Sequence, residues 1–371
     1  MTTHRALFLS GSFGKGHDTL AEACSVALAP RGVESRTIDC MAMLGQHGPR
    51  ALGDWIFRRV LAIPPVYDAF HFSQLRGDGW LGRAADRTAI NFMYPHVCQV
   101  MDTFRPELVV SVFATGAGAS VRLKADYPDI ATAGFMTDSF AHRMWVHEGI
   151  DVFLVTSQVA AASVRRYWPQ ANVAVVNAPV RPAFYQVPAQ SVARAELGVP
   201  AGASCVLLMS GAWGLGPLDE VARALAQAGF WVLAVGGVNE RLSRRLAAVA
   251  ADDPRILVFG YTERIAELMA ASDVIVTSSG DTCREARVVG RGLILLDVIP
   301  GHGRENLMHE LELGAAAVCS PTPDSVLGAV QTYLADPPAA HVTAHDPETA
   351  AAWDDEFLST LSRAGIKLES P

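Results

Sequence analysis

The chain has 371 residues, of which 50% are hydrophobic and 18% are charged, and its formal net charge is −8 at pH 7. This length predicts about two domains, and the composition excludes a disordered or fibrous protein. The acidic balance argues against a broad nucleic-acid-binding surface.

Two features of the sequence bear on the cellular compartment. The apolar run Ala6–Leu9 is too short for the hydrophobic part of a signal peptide, and no stretch approaches the roughly 18 apolar residues of a membrane span. The six cysteines are scattered and form no C-x-x-C pair. This pattern predicts buried, reduced thiols and a cytoplasmic protein.

Short apolar runs alternate with helical patterns along the first half of the chain. Runs of this length suit parallel strands that are covered on both faces. The predicted strands are Arg5–Ser10, Ser35–Asp39, Leu108–Phe113, Ala131–Met136, Val152–Thr156 and Val173–Val176.

A second series of the same kind begins after Arg181-Pro182. Its predicted strands are Cys205–Met209, Trp231–Val235, Ile256–Phe259, Val274–Thr277, Leu293–Leu296 and Ala316–Cys319. The helices predicted between them are Leu218–Ala228, Glu240–Ala251, Glu263–Ala271, Cys283–Val289 and Glu305–Leu313.

These alternations predict an α/β protein with two doubly wound, Rossmann-like domains. We place the first domain at residues 1–183 and the second at residues 184–345, with a C-terminal helical segment at 346–371 that packs back on the first domain. Ligands of such sheets bind beyond the carboxyl ends of the strands, so a cleft between two facing sheets is the expected site.

An aromatic-rich insertion interrupts the first domain over residues 50–95. One interpretation is an extra helical layer with its own small core. The other is an apolar surface that contacts an acceptor or a membrane. Its charges nearly balance, so no strongly basic patch is predicted from the sequence.

A glycine-rich loop follows the first predicted strand and contains Gly14, Gly16 and His17. Its spacing matches neither a Walker A loop nor G-x-G-x-x-G. A single histidine is usually structural, but this one stands where a glycine loop meets a helix. The positive end of that helix disfavours imidazolium, which suits a base.

Asp138 directly follows another predicted strand, and His142 and Trp145 come shortly after it. Asp138 is either the N-cap of a helix or a carboxylate on the ligand side of the sheet. In the second case it can pair with a histidine in general base catalysis.

The second half has four loops that each follow a predicted strand. Backbone amides of glycine loops and helix N-termini bind phosphate groups, and a carboxylate can accept from two ribose hydroxyls. Taken alone, Glu285 is explained as an acidic side chain that interacts with a helix dipole, and Asn306 is explained as a helix N-cap. The candidate residues in these loops are Gly211, Gly214, Tyr261, Gly280, Asp281, Thr282, Glu285 and Asn306.

Together these segments resemble the two-domain GT-B glycosyltransferases. The similar group includes monogalactosyldiacylglycerol synthases, bacterial diacylglycerol glucosyltransferases and the peptidoglycan enzyme that adds N-acetylglucosamine to a lipid. The resemblance spans roughly residues 5–320. It rests on Gly14-Lys15-Gly16-His17, Thr137-Asp138…His142…Trp145, Gly211…Gly214-Leu215-Gly216-Pro217, Phe259-Gly260-Tyr261, Gly280-Asp281-Thr282…Glu285-Ala286 and Pro300-Gly301…Asn306.

The resemblance implies an inverting transferase that moves a hexose from a UDP-sugar to a lipid acceptor such as diacylglycerol. His17 would be the catalytic base and Asp138 its partner, while Gly14, Gly16, His142 and Trp145 would lie on the acceptor side. The uracil would lie at Tyr261 and the ribose at Glu285. The diphosphate and sugar would be surrounded by Gly211, Gly214, Gly280, Asp281, Thr282 and Asn306.

The resemblance also implies peripheral contact with the inner face of the cell membrane and no nucleic-acid partner. No D-x-D sequence occurs, so we expect leaving-group stabilisation without a metal and without a cofactor. The similar galactolipid enzymes read Pro-Gly-Gln-Glu where this chain has Pro300-Gly301-His302-Gly303, with Glu305 close by, which leaves the sugar open.

Three other functions are compatible with the same motifs. They are a transferase that modifies a soluble natural product, a nucleotide-sugar-binding protein without turnover, and a UDP-sugar epimerase of the same fold. UDP release that depends on diacylglycerol distinguishes the lipid transferase from the other three.

Overall fold

The computed structural model describes residues 4–11, 16–45, 64–177, 180–211, 214–312, 316–337 and 356–366. The chain divides into two compact units. The first is formed by the described residues of Met1–Pro179, Pro300–His302 and Ala351–Pro371, and the second by those of Val180–Ile299 and Gly303–Ala350.

The first unit is built on a sheet of six parallel strands in the order β2-β1-β3-β4-β5-β6. All of its strands run in the same direction, so their carboxyl ends lie at one edge. The strands are β1 (His4–Ser10), β2 (Val33–Asp39), β3 (Leu108–Ser111), β4 (Ala131–Met136), β5 (Val152–Val155) and β6 (Val173–Val175).

Strand β1 shows why this sheet is covered on both faces. Successive side chains of a strand point to opposite faces. Ala6 and Phe8 lie in one buried cluster, and Leu7 and Leu9 lie in another. The helices of this unit are α1 (Gly16–Leu28), α2 (Cys40–Gly45), α3 (Pro64–Phe70), α4 (Trp80–Phe104), α5 (Ala114–Asp126) and α6 (Gln158–Tyr167).

A helical segment at 356–363 completes the core of the first unit. Phe357 is fully buried and its ring stacks on that of Phe135 in β4, with 5.9 Å between the ring centroids. Leu361 and Ile366 are buried in the same cluster. One face of the first sheet is therefore covered partly by residues from the last part of the chain.

The second unit has its own sheet of six parallel strands, in the order β12-β11-β10-β7-β8-β9. Its strands are β7 (Cys205–Leu208), β8 (Trp231–Val235), β9 (Ile256–Phe259), β10 (Val274–Ser278), β11 (Gly292–Leu296) and β12 (Ala316–Cys319). Its helices are α7 (Gln190–Leu197), α8 (Leu218–Gln227), α9 (Glu240–Ala250), α10 (Ile265–Ala271), α11 (Asp281–Val289), α12 (His302–Glu312) and α13 (Pro323–Ala335).

The structure confirms the predicted α/β class, and each of the twelve predicted strands is present. Some ends differ from the prediction. Strand β3 ends at Ser111 because Phe113 is the extended cap residue from which α5 begins. Helices α11 and α12 begin at Asp281 and His302, earlier than predicted, because their first turns are polar and add nothing to the apolar periodicity.

The described part of the aromatic-rich insertion supports both interpretations of that segment. Tyr67 is buried, whereas Phe72, Trp80 and Phe92 are exposed by 46%, 67% and 61%. Two further aromatics of the insertion, Trp55 and Phe57, lie outside the described residues. Within the described ranges, no helix has the length and apolar character needed to cross a membrane.

Candidate active site

His17 lies in the first turn of α1, where the chain leaves the carboxyl end of β1. The Ser10 hydroxyl donates to Asp18 Oδ1 at 2.7 Å, which ties the first turn of the helix to the end of the strand. The ring of His17 meets that of Phe113 edge-on, with the centroids 5.2 Å apart. The half-buried imidazole therefore sits on the edge of the sheet where ligands are expected.

The acceptor-side candidates have different environments. Gly16 is the first residue of α1, while Gly14 lies outside the described residues. Trp145 is only 2% exposed and packs in an apolar cluster with Met136 and Phe153. Its burial there stabilises the loop after β4.

Asp138 follows β4 and acts electrostatically on His142. Burial lowers the pKa of His142 to about 3, and the carboxylate of Asp138 raises it only in part. Nδ1 of His142 is buried and has no hydrogen-bond partner among the described residues. His142 is therefore a neutral imidazole at pH 7 beside a carboxylate.

The predicted pair of His17 and Asp138 stays a prediction. Strand β3 lies between β1 and β4, so the two loops start about 10 Å apart, at two strand spacings. His142 is the histidine whose pKa responds to Asp138. This makes His142 a second candidate for proton transfer at this edge of the sheet.

Strand order in the second unit brings the predicted donor-binding loops to one edge. Strand β10 lies between β7 and β11, and their three following loops contain Gly214, Gly280 and Gly301. Strand β9 is the outermost strand of the same sheet on the β8 side, and the loop that follows it contains Tyr261. Motifs far apart in sequence are thus neighbours because parallel strands end at one edge.

The loop after β7 requires glycine at position 214. Its backbone has φ +56°, and a Cβ there would approach Leu242 Cδ2 to 2.5 Å and the Gly236 carbonyl oxygen to 3.0 Å. Its amide nitrogen is 3.1 Å from the Ser210 carbonyl oxygen, which closes the turn. Gly211 precedes it in the same loop, also with positive φ.

Helix α11 starts directly after Gly280, at the end of β10. A Cβ at Gly280 would meet no atom of the described residues within 4 Å, so these residues leave the space beside this helix N-terminus open. The side chain of Asp281 pairs with Arg284 one turn later, and Thr282 is half-buried. The free amides of such a helix start are suited to an anion.

Glu285 is 7% exposed on α11 and forms an ion pair with Arg181. Its Oε1 atom is 3.4 Å from Nη2 of Arg181. Burial raises the pKa of Glu285 to about 7, and Arg181 only partly offsets that rise. Burial therefore favours the protonated form of this carboxyl group, and a ligand hydroxyl that donates to it would favour the ionised form.

Arg181 also links Glu285 to the loop after β9. Its Nη1 atom is 3.4 Å from Oε2 of Glu263, whose Oε1 accepts a 2.9 Å hydrogen bond from the Tyr261 hydroxyl. Tyr261 is 55% exposed. Asn306, the remaining donor-side candidate, is half-buried on α12.

Sequence reasoning missed the role of Arg181, which it treated only as the start of a linker. Nε of Arg181 is buried without a hydrogen-bond partner among the described residues, and its guanidinium lies over the Phe184 ring at 5.1 Å. A guanidinium so placed holds Glu285, the predicted ribose residue, and Glu263, which accepts from Tyr261. The available signal was an arginine directly before the first element of the unit predicted to bind the nucleotide.

Comparison with known proteins gives a family context for this geometry. The family model for monogalactosyldiacylglycerol (MGDG) synthase matches residues 72–180. A processive diacylglycerol beta-glucosyltransferase of Bacillus subtilis is 24% identical over 350 residues, covering 92% of this chain and 89% of that protein. A probable chloroplastic monogalactosyldiacylglycerol synthase of Glycine max is 28% identical, covering 84% of this chain and 61% of that protein.

Among solved structures, MurG of Acinetobacter baumannii superposes with a TM-score of 0.58 at 15% identity, covering 98% of this chain and all of that chain. This likeness shows the fold. The resemblance predicted from the motifs is therefore confirmed: the chain has the GT-B fold and is similar in sequence to monogalactosyldiacylglycerol synthases and diacylglycerol glucosyltransferases.

Proposed function

We propose that this protein is an inverting glycosyltransferase that moves a hexose from a UDP-sugar to a hydroxyl of a lipid such as diacylglycerol. The observation that carries the proposal is its similarity to a diacylglycerol beta-glucosyltransferase over 92% of the chain. The buried carboxylate of Glu285 beside Arg181 supports a ribose site in the second unit.

Donor binding uses the loops at the edge of the second sheet. Ribose hydroxyls donate to Glu285, which Arg181 holds in place. The uracil lies against the backbone beside Tyr261. Amides of the Gly214 loop and the start of α11 receive the diphosphate, and Asn306 contributes on the sugar side.

The transfer step uses the first unit. His17 removes the proton of the acceptor hydroxyl as the oxygen attacks C1 of the sugar, and the bond from C1 to the UDP oxygen breaks. Asp138 and His142 support this edge of the sheet electrostatically. In-line attack from the face opposite the leaving UDP inverts the anomeric centre.

The test of the proposal is a donor and acceptor panel. Purified protein is mixed with UDP-glucose, UDP-galactose or UDP-N-acetylglucosamine, with and without diacylglycerol, and UDP release is followed. Release that needs diacylglycerol supports the proposal. Binding of a UDP-sugar without release of UDP would instead identify a nucleotide-sugar-binding protein. UDP release that depends on a soluble acceptor would identify a different transferase.

Activity should persist when divalent cations are chelated. The chain has no D-x-D sequence, and the start of α11 offers backbone amides for the departing diphosphate. We expect the initial rate in EDTA to stay within about twofold of the rate in magnesium. A rate abolished by EDTA and restored by magnesium or manganese would show that an ion stabilises the leaving group.

Membrane contact through α4 is part of the proposal. Trp80, Ala84, Thr88 and Phe92 are exposed and recur at four-residue steps along this helix. Arg87 is exposed, and Arg83 is exposed and pairs with Asp78 at 3.3 Å. Asp86 turns inward and lies 3.3 Å from Nε2 of His147. The outer face of α4 therefore carries exposed aromatic side chains and the guanidinium of Arg87.

Such a face fits the surface of an anionic bilayer. The double substitution Trp80→Ser and Phe92→Ser should weaken binding to phosphatidylglycerol vesicles by about tenfold or more in co-sedimentation. The matched control is Val238→Ser with Met308→Ser, which removes two exposed apolar side chains of the second unit. Equal vesicle binding by the two double variants would show that α4 is not the membrane contact.

A further inference from the structure

The segment 71–79 connects α3 to α4 and contacts the loop after β4, residues 137–147. It begins with a π-helical turn, His71–Leu75. Turns of this kind are rare and occur frequently at functional sites. Because the loop contains Asp138 and His142, the contact joins the aromatic-rich insertion to the proposed site of transfer.

Arg76 makes two different contacts with this loop. Its Nη1 atom donates a 2.7 Å hydrogen bond to the carbonyl oxygen of Ala141, the residue before His142. Its guanidinium also lies over the ring of Phe140, 4.8 Å from the centroid. A charge-assisted hydrogen bond and a cation–π contact from one side chain fix the backbone directly before His142.

The backbone around Arg76 is itself held in place. The carbonyl oxygen of Leu75 accepts a 3.0 Å hydrogen bond from the amide of Arg143, which lies on the other side of His142. The hydroxyl of Tyr167 on α6 donates at 2.6 Å to the carbonyl oxygen of Arg76. The loop is therefore tied to the segment on both sides of His142.

Asp78 adds an ionic contact between the same two segments. Its Oδ1 atom lies 3.4 Å from Nε of Arg143, and its Oδ2 atom lies 3.3 Å from Nη1 of Arg83 on α4. Asp78 has φ +56°, a conformation that costs energy for a residue other than glycine. The surrounding contacts hold it there, so the connection between α3 and α4 has a defined shape.

The charge of Arg76 also acts on His142. Burial lowers the pKa of His142 to about 3, the carboxylate of Asp138 raises it in part, and Arg76 is among the groups that lower it further. Arg76 thus fixes the position of the loop and favours a neutral imidazole within it.

We propose that Arg76 is a positioning residue that holds the loop after β4, and with it Asp138 and His142, in place for the acceptor hydroxyl. The inference rests on the proposed function, since it assumes a hydroxyl acceptor in the first unit. It gives the aromatic-rich insertion a role in acceptor use that is separate from membrane contact. Arg76 itself does not touch the acceptor.

Two substitutions and one control test this role. Arg76→Ala removes both contacts with the loop. Arg76→Lys keeps a cation that can donate to the carbonyl oxygen of Ala141. The matched control is Arg122→Ala, because Arg122 also makes one 2.7 Å hydrogen bond, to Asn91, and one cation–π contact, over Tyr94.

Hydrogen exchange followed by mass spectrometry measures the position of the loop without turnover. We expect amides of residues 137–147 to exchange about tenfold faster or more in Arg76→Ala, and at the parent's rate in Arg122→Ala. Arg76→Lys should lie close to the parent. Exchange in strands β4 and β7 should not change, which shows that both units stay folded.

Kinetics links the loop to transfer. Arg76→Ala should lower kcat/KM for the acceptor about tenfold or more, while the Kd of UDP from calorimetry stays within about twofold of the parent value. Arg76→Lys should recover most of the loss. A merely structural role would instead lower thermal stability and speed exchange throughout the first unit.

The inference is overturned if Arg76→Ala exchanges at the parent's rate in residues 137–147. It is also overturned if the loop exchanges faster and kcat/KM for the acceptor stays at the parent value, because acceptor use would then not depend on the position of the loop. A parent protein that transfers no sugar in the donor and acceptor panel refutes the proposed function before any variant is compared, and overturns the inference with it.

Discussion

Replacing His17 by alanine should lower kcat about 10²–10⁴-fold, because a lipid hydroxyl is a poor nucleophile without a base. His17 lies in the first turn of α1, with its ring held against Phe113. UDP affinity should stay within about twofold of the parent value, because the proposed nucleoside site is in the second unit. Turnover by product analysis and UDP binding by calorimetry check the two parts separately.

The control for this variant is His96→Ala, which removes a half-buried histidine of α4. The rival base is His142, whose pKa of about 3 makes it a weak proton acceptor at pH 7. His142→Ala should therefore reduce turnover less than His17→Ala. A larger loss of turnover in His142→Ala than in His17→Ala would assign the base to His142 with Asp138. A loss of UDP affinity in His17→Ala would contradict the assignment of UDP binding to the second unit.

Glu285→Ala should weaken UDP binding by about 1.5–3 kcal/mol, as expected when charge-assisted hydrogen bonds to ribose are lost. Arg181 loses one of its two carboxylate partners but keeps Glu263, so the fold should survive. Calorimetry with UDP gives the binding change, and circular dichroism checks the fold. The matched control is Glu267→Ala, which removes a more exposed glutamate on α10 that also pairs with an arginine.

Uridine binding as a function of pH gives a second test of Glu285, free of phosphate titration. Because burial raises the pKa of Glu285 to about 7, the ionised carboxylate becomes more abundant between pH 6 and pH 8. Uridine affinity should rise over that interval in the parent and stay flat in Glu285→Gln. The same raised pKa means that this group favours the folded state below its unfolded pKa and loses that contribution as pH rises through 7. UDP affinity unchanged in Glu285→Ala would refute the ribose assignment.

The sheets could be predicted because each strand is a short, continuous apolar run. Strands Trp231–Val235, Ile256–Phe259 and Ala316–Cys319 have the predicted ends, and a glycine or a serine directly follows each of them. Strand order was not predicted in detail, because it depends on which buried faces pack together. The candidate residues of the second unit lie in the loops or helices that follow strands, so the sequence predicts at which edge of the sheet they lie.

The contacts that orient these residues could not be predicted. Arg181 and Glu285 are 104 positions apart, and Arg76 and Ala141 are 65 apart. Local periodicity contains no information about such pairs. Burial of Asp86, which removes a carboxylate from the outer face of α4, could not be predicted from the sequence either.

The segment 356–366 determines the order in which the two units can complete their folding. Phe357, Leu361 and Ile366 belong to the core beneath the first sheet, yet they are synthesised after every strand of the second. During translation the second unit has all of its strands before the first has its complete core. The apolar surface around Phe135 in the first unit stays uncovered until this segment has left the ribosome. Removing the segment should therefore leave a folded second unit and an incompletely folded first unit whose exposed apolar surface promotes aggregation.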